Sequence, residues 1–490
     1  MQCSGPDQDH CQCGDPEAPR MVSHSSLPFW FDDMTGPCAA PKRLHNAGIL
    51  LRIPFPVNYC AKLGFVVSEL EQPKARWEAP SRAFARFFRL IWGDDVDAAL
   101  RPVLLVSVCG SVAFSAIWTF VGIWAIKALG ASGSELGVAF LAAALGSMVA
   151  GYAGGALSDR IGRKPVIMVG FGIEAAFLIS LAGVGDRTLL GLALVAVGSS
   201  FGSVGSGASQ AMVADLVPPE RHERAYAAMR VGNNLGVTIG LPLGGLLLLG
   251  GQWSHLFLGA GILLSGVIGL AARFLPRRGA YSPEEPPTRG SFGVIRNDFP
   301  FLLFFLSGGL AFLVYIAYET LLPISLVSGH GLAPSTWGFL VIVNPIAVTF
   351  FQLRLTRRVE RYPAAPRLVL AMLLMGWPFL LLSVSSRIPV VVVLILIFVL
   401  GEMLWVPTSQ AIVAGLAPPD LRGAYMGAFG STSAVGFALG PLLGLSVRSA
   451  AGDAAMWSTF GLISVVAAIT GAVACRFALG RRPVGVPEAA

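Results

Sequence analysis

Charge is what this chain has least of. Only 13% of its 490 residues are Asp, Glu, Lys or Arg, against roughly 25% in a soluble domain. At 54% hydrophobic and a mean hydropathy of +0.68, it reads as a polytopic helical membrane protein. Other absences narrow the class. The short alternating segments of a membrane barrel are missing. No P-loop is present, which argues against ATP-driven transport. An enzyme would cluster His, Cys or Asp at one membrane face, and a sensor would carry a soluble signalling domain; neither pattern occurs. Nor is there a basic stripe interleaved with aromatics, so the net charge of +7 does not point to nucleic acid. Five of the seven cysteines (Cys3, Cys11, Cys13, Cys38, Cys60) precede residue 61. His10, Cys11 and Cys13 lie close together but match no standard zinc spacing. No metal and no cofactor are expected.

What the chain does have is apolar runs of bilayer length, about 20 residues each. Residues 1–80 hold none of them. Ten prolines are scattered there without a sustained apolar period, so the segment reads as disordered, or as an extension ahead of a true start at Val67 or Val96. Residues 81–97 differ: Arg82, Arg86 and Arg89 recur at helical spacing among Phe84, Phe87, Phe88 and Ile91. That pattern predicts an amphipathic helix anchored at an anionic lipid surface.

Twelve spans follow. The first six are Val103–Ala128, Leu136–Leu157, Val166–Val184, Leu189–Ala214, Val231–Gly251 and Leu256–Ala272, within residues 98–275. A polar linker, 276–298, separates them from Phe299–Val327, Trp337–Leu353, Leu368–Ser386, Ile388–Leu416, Ala424–Val447 and Ala454–Cys475, within 299–475. A short tail, 476–490, closes the chain. With the tail, the N-terminus and the even-numbered loops on one side, 24 Lys and Arg from Ser81 onward fall there, and only Lys127, Arg187, Arg387 and Arg448 fall opposite. The positive-inside rule makes the first side cytoplasmic.

The two sets of spans are related. Val213-Ala214-Asp215-Leu216-Val217-Pro218-Pro219-Glu220 aligns with Val413-Ala414-Gly415-Leu416-Ala417-Pro418-Pro419-Asp420, 200 residues on. Duplication about an axis along the membrane normal predicts an all-α fold of two pseudo-symmetric six-helix bundles.

Between spans 2 and 3 stands Gly155-x-x-x-Asp159-Arg160-x-Gly162-Arg163-Lys164. On a chain of twelve spans, this resembles the signature of the major facilitator superfamily, and residues 98–480 are similar to its drug:proton antiporter branch. Span 11 carries Gly436-x-x-x-Gly440-Pro441-x-x-Gly444, similar to a motif enriched in exporters, with a variant in span 5 at Gly236, Gly240 and Pro242. The loop Arg354–Arg361 reads as a degenerate signature that keeps its charge and loses its glycines. Span 4 lacks the arginine often found in this branch, and span 1 has no carboxylate.

The resemblance implies alternating access, with Asp159 meeting span 11 in a cytoplasmic latch. Arg160, Arg163 or Lys164 is then expected to pair with Asp215. Midplane carboxylates cost roughly 3 kcal/mol or more, so Glu402, Glu319 and Glu174 are candidate proton carriers, ranked in that order because spans 7 and 10 line the cavity in this family. Trp118, Tyr315, Tyr318, Asn344 and Trp405 are expected to line it too. Arg230, at the start of span 5, reads as a gate or lipid-facing cation. The expected protein is a monomeric, proton-coupled exporter of hydrophobic or amphipathic compounds in the bacterial inner membrane; a sugar or metabolite carrier of the same fold is the alternative.

Overall fold

The computed structural model describes residues 82–479, except 94, 95, 250, 289, 333–336, 338 and 339. Residues 1–80, with the His10, Cys11 and Cys13 group, and most of the tail lie outside them.

Helices account for the spans, labelled α1 to α12 here. The first bundle comprises α1 (Arg101–Lys127), α2 (Gly133–Ile161), α3 (Arg163–Leu181), α4 (Thr188–Leu216), α5 (His222–Leu247) and α6 (Trp253–Phe274). The second comprises α7 (Phe299–Ile324), α8 (Val343–Val359), α9 (Ala364–Gly376), α10 (Ile388–Leu416), and α11 and α12, which run together from Arg422 to Leu479 and part at Gly452, where φ is +84°. Nine stretches among the described residues are long and apolar enough to cross a bilayer by themselves. The twelve emerge once α11 and α12 are separated and α5 and α8 are included. α8 is short at 17 residues, and α5 carries charge at its start, which dilutes its hydropathy.

Local chemistry sets the boundaries. Ser132 and Glu135 form a reciprocal capping box at the start of α2, satisfying backbone donors that a helix end leaves open. Asp298 caps α7 by accepting from the Phe301 N–H at 3.1 Å. The connector between α2 and α3 shrinks to one residue, Gly162, at φ +96°, a conformation a side chain would strain. Most of the signature is therefore helical. The same holds for its degenerate copy: α8 continues through Val359, so most of the expected loop Arg354–Arg361 is helix. Helix α4 is interrupted at Ser203, between Gly202 and Val204.

Within each bundle the packing repeats. α1 lies on α5 as α7 lies on α11, and α3 on α6 as α9 on the α11–α12 unit. The exporter-type motifs serve these pairs. A Cβ added at Gly236 or Gly240 would come within 3 Å of α1 at Ser111, Val112 or Ser115, and one at Gly436 would strike Phe312 of α7. Gly444 meets Leu321, and Gly440 faces Ile316. Pro242 and Pro441 sit inside these helices. The motifs thus hold α5 to α1 and α11 to α7 inside each half, rather than forming the seam between halves.

The axis of duplication is visible in contacts. Gln410 donates to Gln210 at 3.1 Å across 200 residues of sequence, so duplicate positions meet each other. Two short helices flank the bundles at the same end. One, Arg82–Trp92, precedes α1; the other, Ser291–Ile295, lies in the linker. On the first, two of the aromatic rings face protein. Phe88 and Trp92 are buried and stacked 4.3 Å apart, and the Trp92 Nε1–H donates to the Ala228 carbonyl of α5 at 2.8 Å. The linker is tied down as well: the Tyr281 N–H donates to the Asp215 carbonyl at 2.9 Å, and Tyr425 donates to Asp298 at 2.7 Å.

Candidate functional site

Polar clusters join the halves at two levels, one at the end that carries the signature and one deeper, near the middle of the spans. The first is the signature itself. Asp159 receives the backbone N–H groups of Gly423 and Ala424, each at 2.8 Å. These are unsatisfied donors of the first turn of α11, where the helix dipole also favours an anion. Arg163 pairs with Asp159 and reaches Asp215 at 3.0 Å. Arg422 crosses from the other half to Asp215 at 2.6 Å. All four side chains are buried. Two carboxylates and two guanidiniums therefore balance in a dry site, and removing one leaves a buried charge uncompensated.

Of the three cations expected to reach Asp215, only Arg163 does. Lys164 closes the end of α6, donating to the Ala272 and Leu275 carbonyls at 2.7 and 2.9 Å. Arg160 is exposed beside linker residues Pro287 and Ser291. His222, on the overhang of α5 beyond its apolar span, donates to the Ala214 carbonyl at 3.2 Å. Burial and the nearby Arg422 push its imidazole below the ordinary histidine range.

Beneath the ion pairs the helices touch backbone to backbone. A Cβ at Gly155 would fall within 3 Å of the Gly423 carbonyl, and one at Gly207 within 3 Å of Gly427. Gly427 itself faces the Gly151 carbonyl. Only glycine permits this approach.

The other seam joins α5 to the second half, and it is built from side chains instead. Glu223 takes both nitrogens of Arg367, one at 2.9 Å, and the Thr408 hydroxyl at 3.0 Å. Arg224 makes a two-pronged pair with Glu360. Glu223 stands 199 positions before Arg422, the register of the Tyr226 and Tyr425 repeat. The key residues of the two seams thus have opposite sign: Arg422 enters an acidic socket, and Glu223 enters a basic one. Reversal of one partner, Glu223→Arg, is expected to lower transport at least roughly tenfold. The exchange Glu223→Arg with Arg367→Glu is expected to recover most of it. Transport rates of the two variants and the wild type at matched expression check this.

The second cluster lies deeper. Glu402 of α10 is 1% exposed. It pairs with Arg230 of α5 and accepts from Asn344 of α8 at 2.7 Å. This is an ion pair between the halves inside the apolar zone. Tyr315, half-buried, and Glu319 stand one turn apart on α7. The Arg230 Nε is buried with no hydrogen-bond partner.

The expected cavity residues divide. Asn344 and Tyr315 join this cluster. Trp118 is exposed, stacked on Phe114 and 6.4 Å from Phe437 of the other half. Tyr318 is buried and stacked on Phe398 at 4.3 Å, and Trp405 is buried and meets Phe312 edge-on at 4.9 Å. Their bulk fills the interior of the second bundle, where the apolar ring outweighs the polar tip. Glu174 is remote from the cluster. It packs against Gly202, beside the break in α4.

Sequence reasoning missed the partner of Glu402. Arg230 was expected at the mouth of its span, but α5 begins at His222, which sets Arg230 two turns inside. A signal existed: a midplane carboxylate calls for a counter-charge, and α5 offers this one. The seam glycines were legible too, as Gly151-x-x-x-Gly155 and Gly423-x-x-x-Gly427.

Twelve helices in two duplicated bundles, joined by a charged latch at one end and a buried ion pair near the middle, define a polytopic transporter rather than an enzyme. The Major Facilitator Superfamily model matches residues 103–441, and the chain belongs to that family. It is 26% identical over 361 residues to the multidrug resistance protein MdtH of Cronobacter sakazakii, covering 72% of this chain and 88% of that one. It is 24% identical over 389 residues to a Na(+), Li(+), K(+)/H(+) antiporter of Planococcus maritimus, covering 71% and 89%. The crystal structure of the human organic anion transporter MFSD10 superposes with a TM-score of 0.60 at 21% identity, covering 76% and 98%; at that identity the likeness concerns the fold.

Proposed function

We propose that this transporter exports small hydrophobic or amphipathic compounds in exchange for protons, as a monomer in the bacterial cytoplasmic membrane, with both termini cytoplasmic. The observation that carries the reading is the Arg230–Glu402 pair across the halves. A carboxylate bonded within one bundle can titrate without moving anything. One whose partner sits on the other bundle converts its proton into seam strength. Loading Glu402 with a proton removes the attraction to Arg230 and favours separation of the halves at this level; releasing the proton draws them together. Glu319, four residues from Tyr315 on α7, is the second carboxylate assigned to proton transfer. Aromatic rings around this level, Trp118 and Tyr315 among them, suit apolar cargo. The multidrug and antiporter names of two relatives agree with this direction and coupling. The arginine-rich end, by the positive-inside rule, is the cytoplasmic one, so the seams described here close the cytoplasmic side and the latch belongs to the outward-facing state.

Proteoliposomes under an imposed pH gradient test the proposal. A panel of lipophilic cations, organic anions and sugars should reveal cargo-driven proton movement that disappears in Glu402→Gln with Glu319→Gln. Cargo carried with no proton movement, or proton movement surviving both substitutions, would sink the coupling assignment.

A further inference from the structure

Gln210 and Gln410 are duplicate positions whose side chains meet, with the Gln410 Nε2–H donating to the Gln210 Oε1 at 3.1 Å. A residue touches its own duplicate only where the pseudo-twofold axis passes between them. The pair therefore marks that axis, and a pathway between two rocking halves runs along it. Its depth is fixed as well. Glu402, Val406 and Gln410 stand on successive turns of α10, and Ser206 and Gln210 on successive turns of α4. Asp215 of the latch follows Gln210 by five residues. The amide pair thus lies between the deep ion pair and the latch. The Tyr226 hydroxyl steadies it by donating to the Gln210 main-chain carbonyl at 3.0 Å.

Both helices are broken just before this level. α4 is interrupted at Ser203, seven residues ahead of Gln210. α10 carries Pro407, three residues ahead of Gln410. Proline has no N–H, so the Met403 carbonyl, four residues back, loses its helical donor. Gln352 of α8 supplies one, its Nε2–H reaching that carbonyl at 2.9 Å. A freed carbonyl in an apolar zone needs such a partner. We propose that the ends of α4 and α10 beyond these breaks are hinged tips, and that Gln210 and Gln410 are the gate they carry, closing the axis between Glu402 and the signature end. A neutral hydrogen bond contributes only about 1 kcal/mol, so the gate can part and re-form in each cycle. An amide neither gains nor loses a proton near neutral pH, so the closed gate does not relay protons to Glu402. The Asp159 and Arg422 latch holds the halves at their rim, whereas the amides shut the path itself. The inference rests on a pathway between the halves; it does not depend on cargo or on proton coupling.

The test places a reporter one turn before the gate, Ser206→Cys, at an exposed position. The full chain is used, with its seven native cysteines replaced by alanine. Membrane vesicles of each orientation are treated with the impermeant thiol reagent sulfonatoethyl methanethiosulfonate, and the labelling rate is followed by mass spectrometry. No cargo or pH gradient is needed, so failure here is distinct from failure of the coupling assignment. Gln210→Ala with Gln410→Ala should raise labelling from the signature end roughly tenfold and leave labelling from the opposite end no faster. Pro407→Ala restores an N–H at the hinge and should slow labelling from the signature end roughly threefold. An unchanged rate in the double-alanine variant overturns the gate, and an unchanged rate in Pro407→Ala overturns the hinge. Faster labelling from both ends in the double-alanine variant would mark a loosened bundle and also overturn the gate.

Discussion

Valine at Gly423 or at Gly155 is expected to stop transport while leaving the protein inserted in the membrane. Each glycine backbone rests on the other's carbonyl, and a side chain at either must push α2 and α11 apart. The displaced atoms are main chain, which cannot rotate away. Separation of this kind costs about 3 kcal/mol, enough to lower the population of the sealed state roughly a hundredfold. It also pulls the Gly423 and Ala424 N–H groups off Asp159, and a lost charge-assisted bond adds to the cost. Cysteine labelling at this end should show permanent access to reagent. Gly415→Val is the control, because a Cβ there meets nothing within 4 Å. Equal transport by Gly155→Val and Gly415→Val would remove the close seam from the mechanism.

The second large effect concerns Arg230 and Glu402. Neutralising either alone, as Arg230→Met or Glu402→Gln, leaves a buried charge without its partner and should cost about 3–5 kcal/mol of stability. Neutralising both should restore most of that, since an apolar contact replaces a buried pair at little net cost. Transport coupled to protons should stay lost in all three. The dissociation of the two readouts is the informative result. Stability and coupled transport recovering together in the double variant would make the pair a structural strut.

These effects involve residues that differ in how far they could be read from sequence. The spans, their duplication and the signature were legible because bilayer thickness and backbone hydrogen bonding leave few options. Asp159 could be named because a charged, glycine-bearing connector has little other use, and Asp215 because it ends span 4 beside the same surface. The side chains facing the cavity were harder. Tyr318 and Tyr315 are three residues apart on α7 and both rings meet Phe398, yet one is buried and the other only half-buried. A helix hydrophobic all round gives no periodic signal of which face is inward. Arg230 was missed through a boundary error of two turns, since charged residues extend a helix beyond its apolar span. The sockets for Glu223 and Arg422 join residues up to 207 positions apart, and nothing local marks them.

The opposite polarity of those sockets bears on how such a molecule can be put together. Two copies of the first bundle, docked face to face, would bring Glu223 against Asp215 and Asp159. Two copies of the second would set Arg422 against Arg367. Like charges in a dry contact oppose both unions. Each half therefore refuses its own twin and accepts only its counterpart. A paired homodimer of one bundle could not use this latch: the two seams differ, and their difference makes the union of unlike halves the one that closes.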